Sequence, residues 1–146
     1  MEPQIHVSWL GIALAIVANM VFGFLWFGPL FGKKWAKGMG FPDDFKPAPG
    51  AFARAIVLQA IGAFLLAYVL THSQQIWRAS VWDRGADGPD WGYGCMSAFF
   101  TWLGFFLPIR FGMVGWENKG WGLFGIHVTH DFIALQIIAM ILAYTF

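Results

Sequence analysis

The amino-acid sequence predicts an all-α, polytopic membrane protein whose four transmembrane helices form a compact bundle. Hydrophobic residues make up 58% of the 146-residue chain and charged residues only 12%, which is more apolar surface than a soluble domain of this size can bury. Four apolar segments are each long enough to cross a hydrocarbon core of about 30 Å. Eight of the nine tryptophans lie at the ends of those segments, at the headgroup level that indole rings prefer.

The chain forms a single domain, residues 1–146, with predicted spans at 7–31, 54–75, 91–109 and 121–145. The first segment is uncharged from Val7 to Gly32, too long and wrongly flanked for a cleaved signal peptide, so we expect it to be retained as the first span. The connections contain Gly and Pro, as loops do. We expect a short interfacial helix over Lys33 to Met39 in the first of them.

The ends of the first and third spans are similar. Each has a Pro a few residues before Phe-Gly and a Trp shortly afterwards, in the segments 27–32 and 107–112. The two halves are then either two-helix repeats related by an axis along the membrane normal or a chance match between residues that are common in this chain.

Lys and Arg set the expected orientation, because cytoplasmic loops carry an excess of both. Loops 32–54 and 110–121 together carry seven Lys and Arg, whereas the loop between them carries two, Arg78 and Arg84. We therefore expect loops 32–54 and 110–121 in the cytoplasm and both termini outside, in the bacterial inner (cytoplasmic) membrane. Arg110 and Glu117 are expected at the interface, where long charged side chains snorkel to the headgroups.

Composition excludes several classes of function. A net charge of +1 gives no footprint for nucleic acid. The single cysteine, Cys95, cannot form an internal disulfide or a thiolate metal cage. No nucleophile elbow, phosphate-binding glycine loop or zincin motif is present, so no residue is assigned a catalytic role and no cofactor is predicted.

Polar side chains deep in a span are informative because a central Asp or Arg costs about 2.5 to 3.5 kcal/mol on insertion scales. We predict a midplane polar layer formed by Asn19, Thr101, His127, His130 and Asp131.

Three members of that layer, His127, His130 and Asp131, share one helix face at i, i+3 and i+4. A neutral imidazole beside a carboxylate suits a proton relay, a cation site or a metal site. A metal would need a further ligand from another span, and Asn19 and Thr101 are poor ones. The alternative is structural, because hydrogen bonds between spans stabilise a bundle by about 0.6 to 2 kcal/mol each.

Rows of small residues predict where the helices pack, because they let helix backbones approach closely. One row lies on the first span and another on the second, which we expect to pack face to face: Gly11, Ala15, Asn19 and Gly23, then Ala55, Gln59, Ala63 and Ala67. A comparable row on the third span contains Gly94, Ser97, Thr101, Gly104 and Pro108.

The end of the first span carries a recognisable motif. Asn19 is followed by Gly23-Phe24-Leu25-Trp26-Phe27-Gly28-Pro29-Leu30-Phe31-Gly32-Lys33-Lys34-Trp35, which resembles the G-x-x-W-Y-G-P-L-F-G-K-x-W signature of the domain of unknown function 1761 (DUF1761) family of small membrane proteins. The resemblance covers essentially the whole length, and His130 matches a His early in the family's last span. Phe27 replaces the more usual Tyr and lacks its hydroxyl. The resemblance implies four spans and a membrane location, but no activity.

Three functions remain open from the sequence. The first is a non-enzymatic membrane protein, in contact with the lipid bilayer and part of a homo-oligomer or a larger membrane complex as an accessory subunit. The second is a small transporter or channel for protons, cations or a small solute that uses the midplane layer. The third is a membrane enzyme with His130 and Asp131 as acid and base.

Overall fold

The computed structural model describes residues 2–146, which are mostly helical and contain no strand. Four helices are long and apolar enough to cross a membrane, as in an integral membrane protein, and a fifth is short: α1 (Trp9–Leu30), α2 (Gly32–Met39), α3 (Ala51–Gln75), α4 (Asp90–Gly115) and α5 (Trp121–Tyr144). The all-α prediction with four membrane-length helices in a compact bundle is confirmed.

Helix α5 lies at the centre of the bundle. Buried residues make up 44% of its most apolar stretch, against 28%, 17% and 11% for α1, α3 and α4, and α5 packs on all three of these helices. The buried core combines residues from each long helix: Ile12, Ala15, Ala67, Leu70, Ala98, Leu135, Ile138, Ala139 and Leu142. These side chains form the packing surface that the four long helices share.

The two ends of the bundle differ in charge. Residues 31–50 and 116–120 lie at one end, called here the basic end, where α2 packs beside the start of α5. Residues 2–8, 76–89 and 145–146 lie at the other, called the terminal end, where Gln4 N–H donates to the Val81 carbonyl at 3.1 Å.

The N-terminal half of the chain turns sharply between α1 and α2. Helix α1 begins after Ser8, whose side chain accepts a hydrogen bond from the Gly11 N–H at 3.1 Å. It ends in a π turn, Trp26–Leu30, that contains Pro29. A Cβ on Gly32 would lie 2.7 Å from the Phe27 carbonyl oxygen, so only glycine fits where α2 begins.

Helices α1 and α3 pack on each other, but only part of each small-residue row is buried. Ala15, Ala63 and Ala67 are buried, whereas Ala55 and Gln59 are exposed. The reason is that α3 is buried only in its terminal-end half, so its basic-end half diverges from the core.

Two glycines of the α1 row lie next to α5 or to the residue that follows it. A Cβ on Gly11 would collide with the Thr145 hydroxyl just beyond α5, and a Cβ on Gly23 would have His130 Nε2 at 4.0 Å as its neighbour. Helix α1 is therefore packed against the central helix as well as against α3.

A second π turn changes the buried face of α4. On a regular helix, at about 100° per residue, Arg110 would point about 120° away from buried Ala98. The π turn Trp102–Phe106 takes up one extra residue and reduces that angle to about 20°. Gly104 and Pro108, predicted on the packing face, are consequently exposed, and Arg110 turns toward the bundle. Residues 110–115, predicted as the start of a loop, continue α4.

Candidate functional site in the bundle interior

Arg110 of α4 and Asp131 of α5 form an ion pair between the helices. Arg110 Nε donates to Asp131 Oδ2 at 2.6 Å and Nη2 donates to Oδ1 at 3.1 Å, which is the bidentate geometry of a strong guanidinium–carboxylate pair. The Asp131 side chain is 6% exposed and the Arg110 side chain 30%. The pair therefore leaves no isolated charge inside the bundle.

The prediction that Arg110 snorkels to the headgroups is wrong. Arg110 lies five residues before the end of α4, and Asp131 lies ten residues into α5, which at 1.5 Å per residue is about 8 and 15 Å from the basic end. The arginine side chain reaches toward the midplane because a buried carboxylate is available there.

His130 extends the ion pair on the side of α1. Its Nδ1 lies 3.3 Å from Asp131 Oδ1, and its ring stacks on Phe22 with centroids 5.2 Å apart. Trp26 and Phe27 complete an aromatic wall, with centroids 6.1 and 4.7 Å from the imidazole. His130 Nε2 is buried and has no hydrogen-bond partner within residues 2–146. With its proton on Nδ1, the neutral imidazole donates to Asp131 and leaves a free lone pair on Nε2.

Two tryptophans attach the neighbouring helices to the same part of α5. The Trp26 indole N–H donates to the Ile126 carbonyl at 3.1 Å, and the Trp102 indole N–H donates to the Val128 carbonyl at 3.0 Å. Each tryptophan is the first residue of a π turn. Together with the ion pair, these bonds fix α1 and α4 to one short stretch of the central helix.

The other residues of the predicted midplane layer form no hydrogen bond with Asp131. Asn19 is buried and Thr101 half-buried, but the hydrogen bonds of Asp131 go to Arg110 and His130 rather than to either of them. His127 is half-buried and packs on Phe27, with ring centroids 5.4 Å apart.

A metal site from His127, His130 and Asp131 is not assembled. In the part of the chain that the structure describes, residues 2–146, no group of three His, Cys, Asp or Glu side chains is arranged to hold a metal ion. Arg110 occupies the carboxylate that such a site would need, and its positive charge would oppose a cation there.

A buried arginine that the sequence did not predict lies at the terminal end. Arg78 is 2% exposed and donates to Asp90 at 2.7 Å and, through Nη2, to the Ala143 carbonyl at 3.4 Å. Its guanidinium lies between two aromatic rings, 4.6 Å from the Tyr93 centroid and 4.4 Å from the Phe146 centroid. Arg78 thus joins the connection after α3 to the start of α4 and the end of α5.

Asp87 belongs to the same terminal-end cluster. It accepts hydrogen bonds from the Ser80 N–H and hydroxyl at 2.8 and 2.7 Å and from Arg78 at 3.5 Å. Burial raises the pKa of this carboxyl, but the bonds from Ser80 and Arg78 outweigh it and hold the pKa below its ordinary value of 3.8.

Comparison with known proteins gives one result. A family model described as a protein of unknown function, DUF1761, matches residues 10–143, nearly the whole chain. No curated protein and no solved structure matches the chain.

Proposed function

The chain belongs to the DUF1761 family, and because that family is described as one of unknown function, we propose a function from the geometry. The protein is a non-enzymatic membrane protein that works by association, as a subunit of a homo-oligomer that can join a larger membrane complex. It acts in the cytoplasmic membrane with the basic end inside and both termini outside, a placement supported by the excess of Lys and Arg at the basic end.

The interior of the bundle supports a structural role for the polar cluster. Both oxygens of Asp131 are occupied by Arg110, and the tryptophan bonds of α1 and α4 meet beside the pair. An ion pair that is satisfied in this way holds helices together and offers no free carboxylate to a substrate. The cluster is therefore part of the scaffold, and association uses the outer surface.

The observation that carries the proposal is the exposure of Gln59. It lies eight residues into α3, about 12 Å from the basic end at 1.5 Å per residue, and forms no hydrogen bond within residues 2–146. Ala55 is exposed beside it, and a Cβ on Gly62 would have nothing within 4 Å. A second copy approaching this small-residue face can pair the amide of its own Gln59 with this one, as polar groups do between spans.

The test is dilution of labelled protein in phosphatidylcholine vesicles, with association followed by energy transfer between subunits. The wild type should associate, and Gln59→Leu should weaken association by about five- to thirtyfold, the equivalent of about 1–2 kcal/mol for an interhelical hydrogen bond. Ala53→Leu, on another exposed face of the same half of α3, is the matched control and should have no effect. A wild type that stays monomeric at every dilution, or a Gln59→Leu variant identical to the control, would contradict the proposal.

A second candidate is favoured by the free Nε2 of His130. His130 Nδ1 lies beside Asp131, and a proton-conducting protein needs protonatable side chains of this kind within a span. Protein reconstituted in vesicles that contain a pH-sensitive dye tests this. A wild-type proton flux that is lost in both Asp131→Asn and His130→Gln, with the fold retained, would favour the proton pathway. A wild-type flux no greater than that of empty vesicles would support the structural role of the cluster instead.

A further inference from the structure

We propose that the groove between α2 and the start of α5, at the basic end, binds the phosphate headgroup of an anionic phospholipid. The groove, called here the lysine groove, has a volume of about 740 Å³. Lys34 and Lys37 of α2 form one wall, the glycines at the start of α5 form the other, and Trp26 and Phe31 form part of the apolar lining.

Charge at the rim favours an anion. Lys34 and Lys37 lie one helical turn apart, are exposed, and have no ion-pair partner within residues 2–146. No acidic side chain lines the groove. Helix α5 begins at Trp121 without a side-chain cap or an acidic residue in its first turn, so the free N–H groups and the positive end of its dipole add to the same field.

The apolar part of the groove favours a lipid over a small anion. Beyond the lysines the lining continues through Leu123 and Ile126 to Thr129, two turns along α5 from the basic end. A headgroup phosphate at the lysines would therefore leave room for the start of an acyl chain along Trp26 and Ile126. A Cβ on Gly122 or Gly125 would meet nothing within 4 Å, so these glycines keep that wall open.

Contacts between α2 and α5 hold the lysines in place. A Cβ on Gly38 would lie 3.1 Å from the Leu123 Cβ, so the two helices are closely packed at that point. Lys119 Nζ also donates to the Met39 carbonyl at 3.5 Å. The lysine groove is therefore preformed, which lowers the ordering cost of binding a ligand. Because it lies at headgroup depth, lipid is the anion it meets at the highest local concentration.

The experiment measures lipid binding to the detergent-solubilised full chain by native mass spectrometry. Phosphatidylglycerol is the probe, and phosphatidylcholine and inorganic phosphate are the comparison ligands. Phosphatidylglycerol should bind more tightly than phosphatidylcholine. The double variant Lys34→Gln/Lys37→Gln should weaken phosphatidylglycerol binding by about thirtyfold, since each surface lysine contributes about fivefold. The control Lys33→Gln/Lys46→Gln removes the same charge from exposed lysines outside the groove and should change the affinity by less than about threefold.

A second variant tests the groove without changing its charge. Gly125→Leu fills the apolar part, and because the Cβ position is open, the fold should survive while phosphatidylglycerol binding falls. Equal affinity for the two lipids, or equal losses in both double lysine variants, would overturn the proposal in favour of general surface charge. Inorganic phosphate that competes with phosphatidylglycerol at equal concentration would overturn the lipid assignment and indicate a small-anion site. An unfolded Gly125→Leu variant would leave the two lysine variants to decide.

Discussion

Replacing Arg110 tests whether the interior ion pair holds the bundle together. Arg110→Met keeps a long side chain but removes two charge-assisted hydrogen bonds from an Asp131 side chain that is 6% exposed. Removal of one partner of a buried ion pair costs about 3–5 kcal/mol. The orphaned carboxylate can take up a proton instead. For an ordinary carboxyl pKa of about 3.9 in the unfolded chain, protonation costs about 4 kcal/mol at pH 7 and about 1.5 kcal/mol at pH 5. The loss in free energy of unfolding cannot exceed these values.

The reciprocal change should cost less. Asp131→Leu strands the guanidinium of Arg110, but that side chain is already 30% exposed and can turn to the headgroups at the basic end, so we expect a loss of about 1–2 kcal/mol. The double variant Arg110→Met/Asp131→Leu leaves an uncharged interface, and replacement of a buried ion pair by apolar residues is often nearly neutral. Its loss should be smaller than that of Arg110→Met alone.

The measurement is reversible unfolding in mixed dodecyl maltoside and dodecyl sulfate micelles, followed by far-ultraviolet circular dichroism at pH 7 and pH 5. We expect a coupling energy of at least about 2 kcal/mol between the two positions at pH 7, and a smaller Arg110→Met loss at pH 5. Single-variant losses that simply add in the double variant, or an Arg110→Met loss that is the same at both pH values, would refute the reasoning.

Three further predictions concern packing and the terminal end. Gly94→Leu should destabilise the bundle by about 1–3 kcal/mol in the same micelle assay, because an added Cβ would lie 3.1 Å from the Ala139 carbonyl oxygen. The control Gly104→Leu should be tolerated, because a Cβ there would meet nothing within 4 Å. Arg78→Leu should cost about 2–3 kcal/mol through lost hydrogen bonds and cation–π contacts, and the control Arg84→Leu, at an exposed site, should cost less than about 0.5 kcal/mol; equal losses would count against the buried cluster. The pKa of Asp87 is lowered in the fold, so its stabilising effect is present above the pKa of the unfolded chain and is lost as pH falls through the folded value. Limited proteolysis of residues 76–89 should therefore accelerate below about pH 4 in the wild type. It should not accelerate in Asp87→Asn.

The membrane fold could be predicted because lipid imposes a coarse rule on composition. A span needs an unbroken apolar segment, and the four that were found in the sequence correspond to the four long helices, although the bounds shift by several residues. The family was also accessible from the sequence, because the motif from Gly23 to Trp35 is local and requires no knowledge of packing.

The interior site was less predictable because each predicted span was ended at the first charged residue. Arg110 was assigned to a loop for that reason, and the π turn before it is invisible to a count of 3.6 residues per turn, so the inward direction of its side chain could not be seen. Asp131 and His130 were recognised because their depth is unusual. Arg78 was missed because its burial depends on Phe146, which is distant in sequence, as well as on the nearby Asp90 and Tyr93. The acidic residues Asp87 and Asp90 shortly after it were a signal.

The central position of α5 has a consequence for biosynthesis. Of the four long helices, α5 is translated last. The central helix is therefore synthesised after the three helices that pack on it. Until then, the faces of α1, α3 and α4 that pack on α5 have no helix to cover. Without α5, Arg110 has no Asp131 carboxylate to pair with, and the indoles of Trp26 and Trp102 lack the carbonyls to which they donate. Asp131 then gives Arg110 its counter-ion, so the bundle is completed from the inside by the last of these four helices.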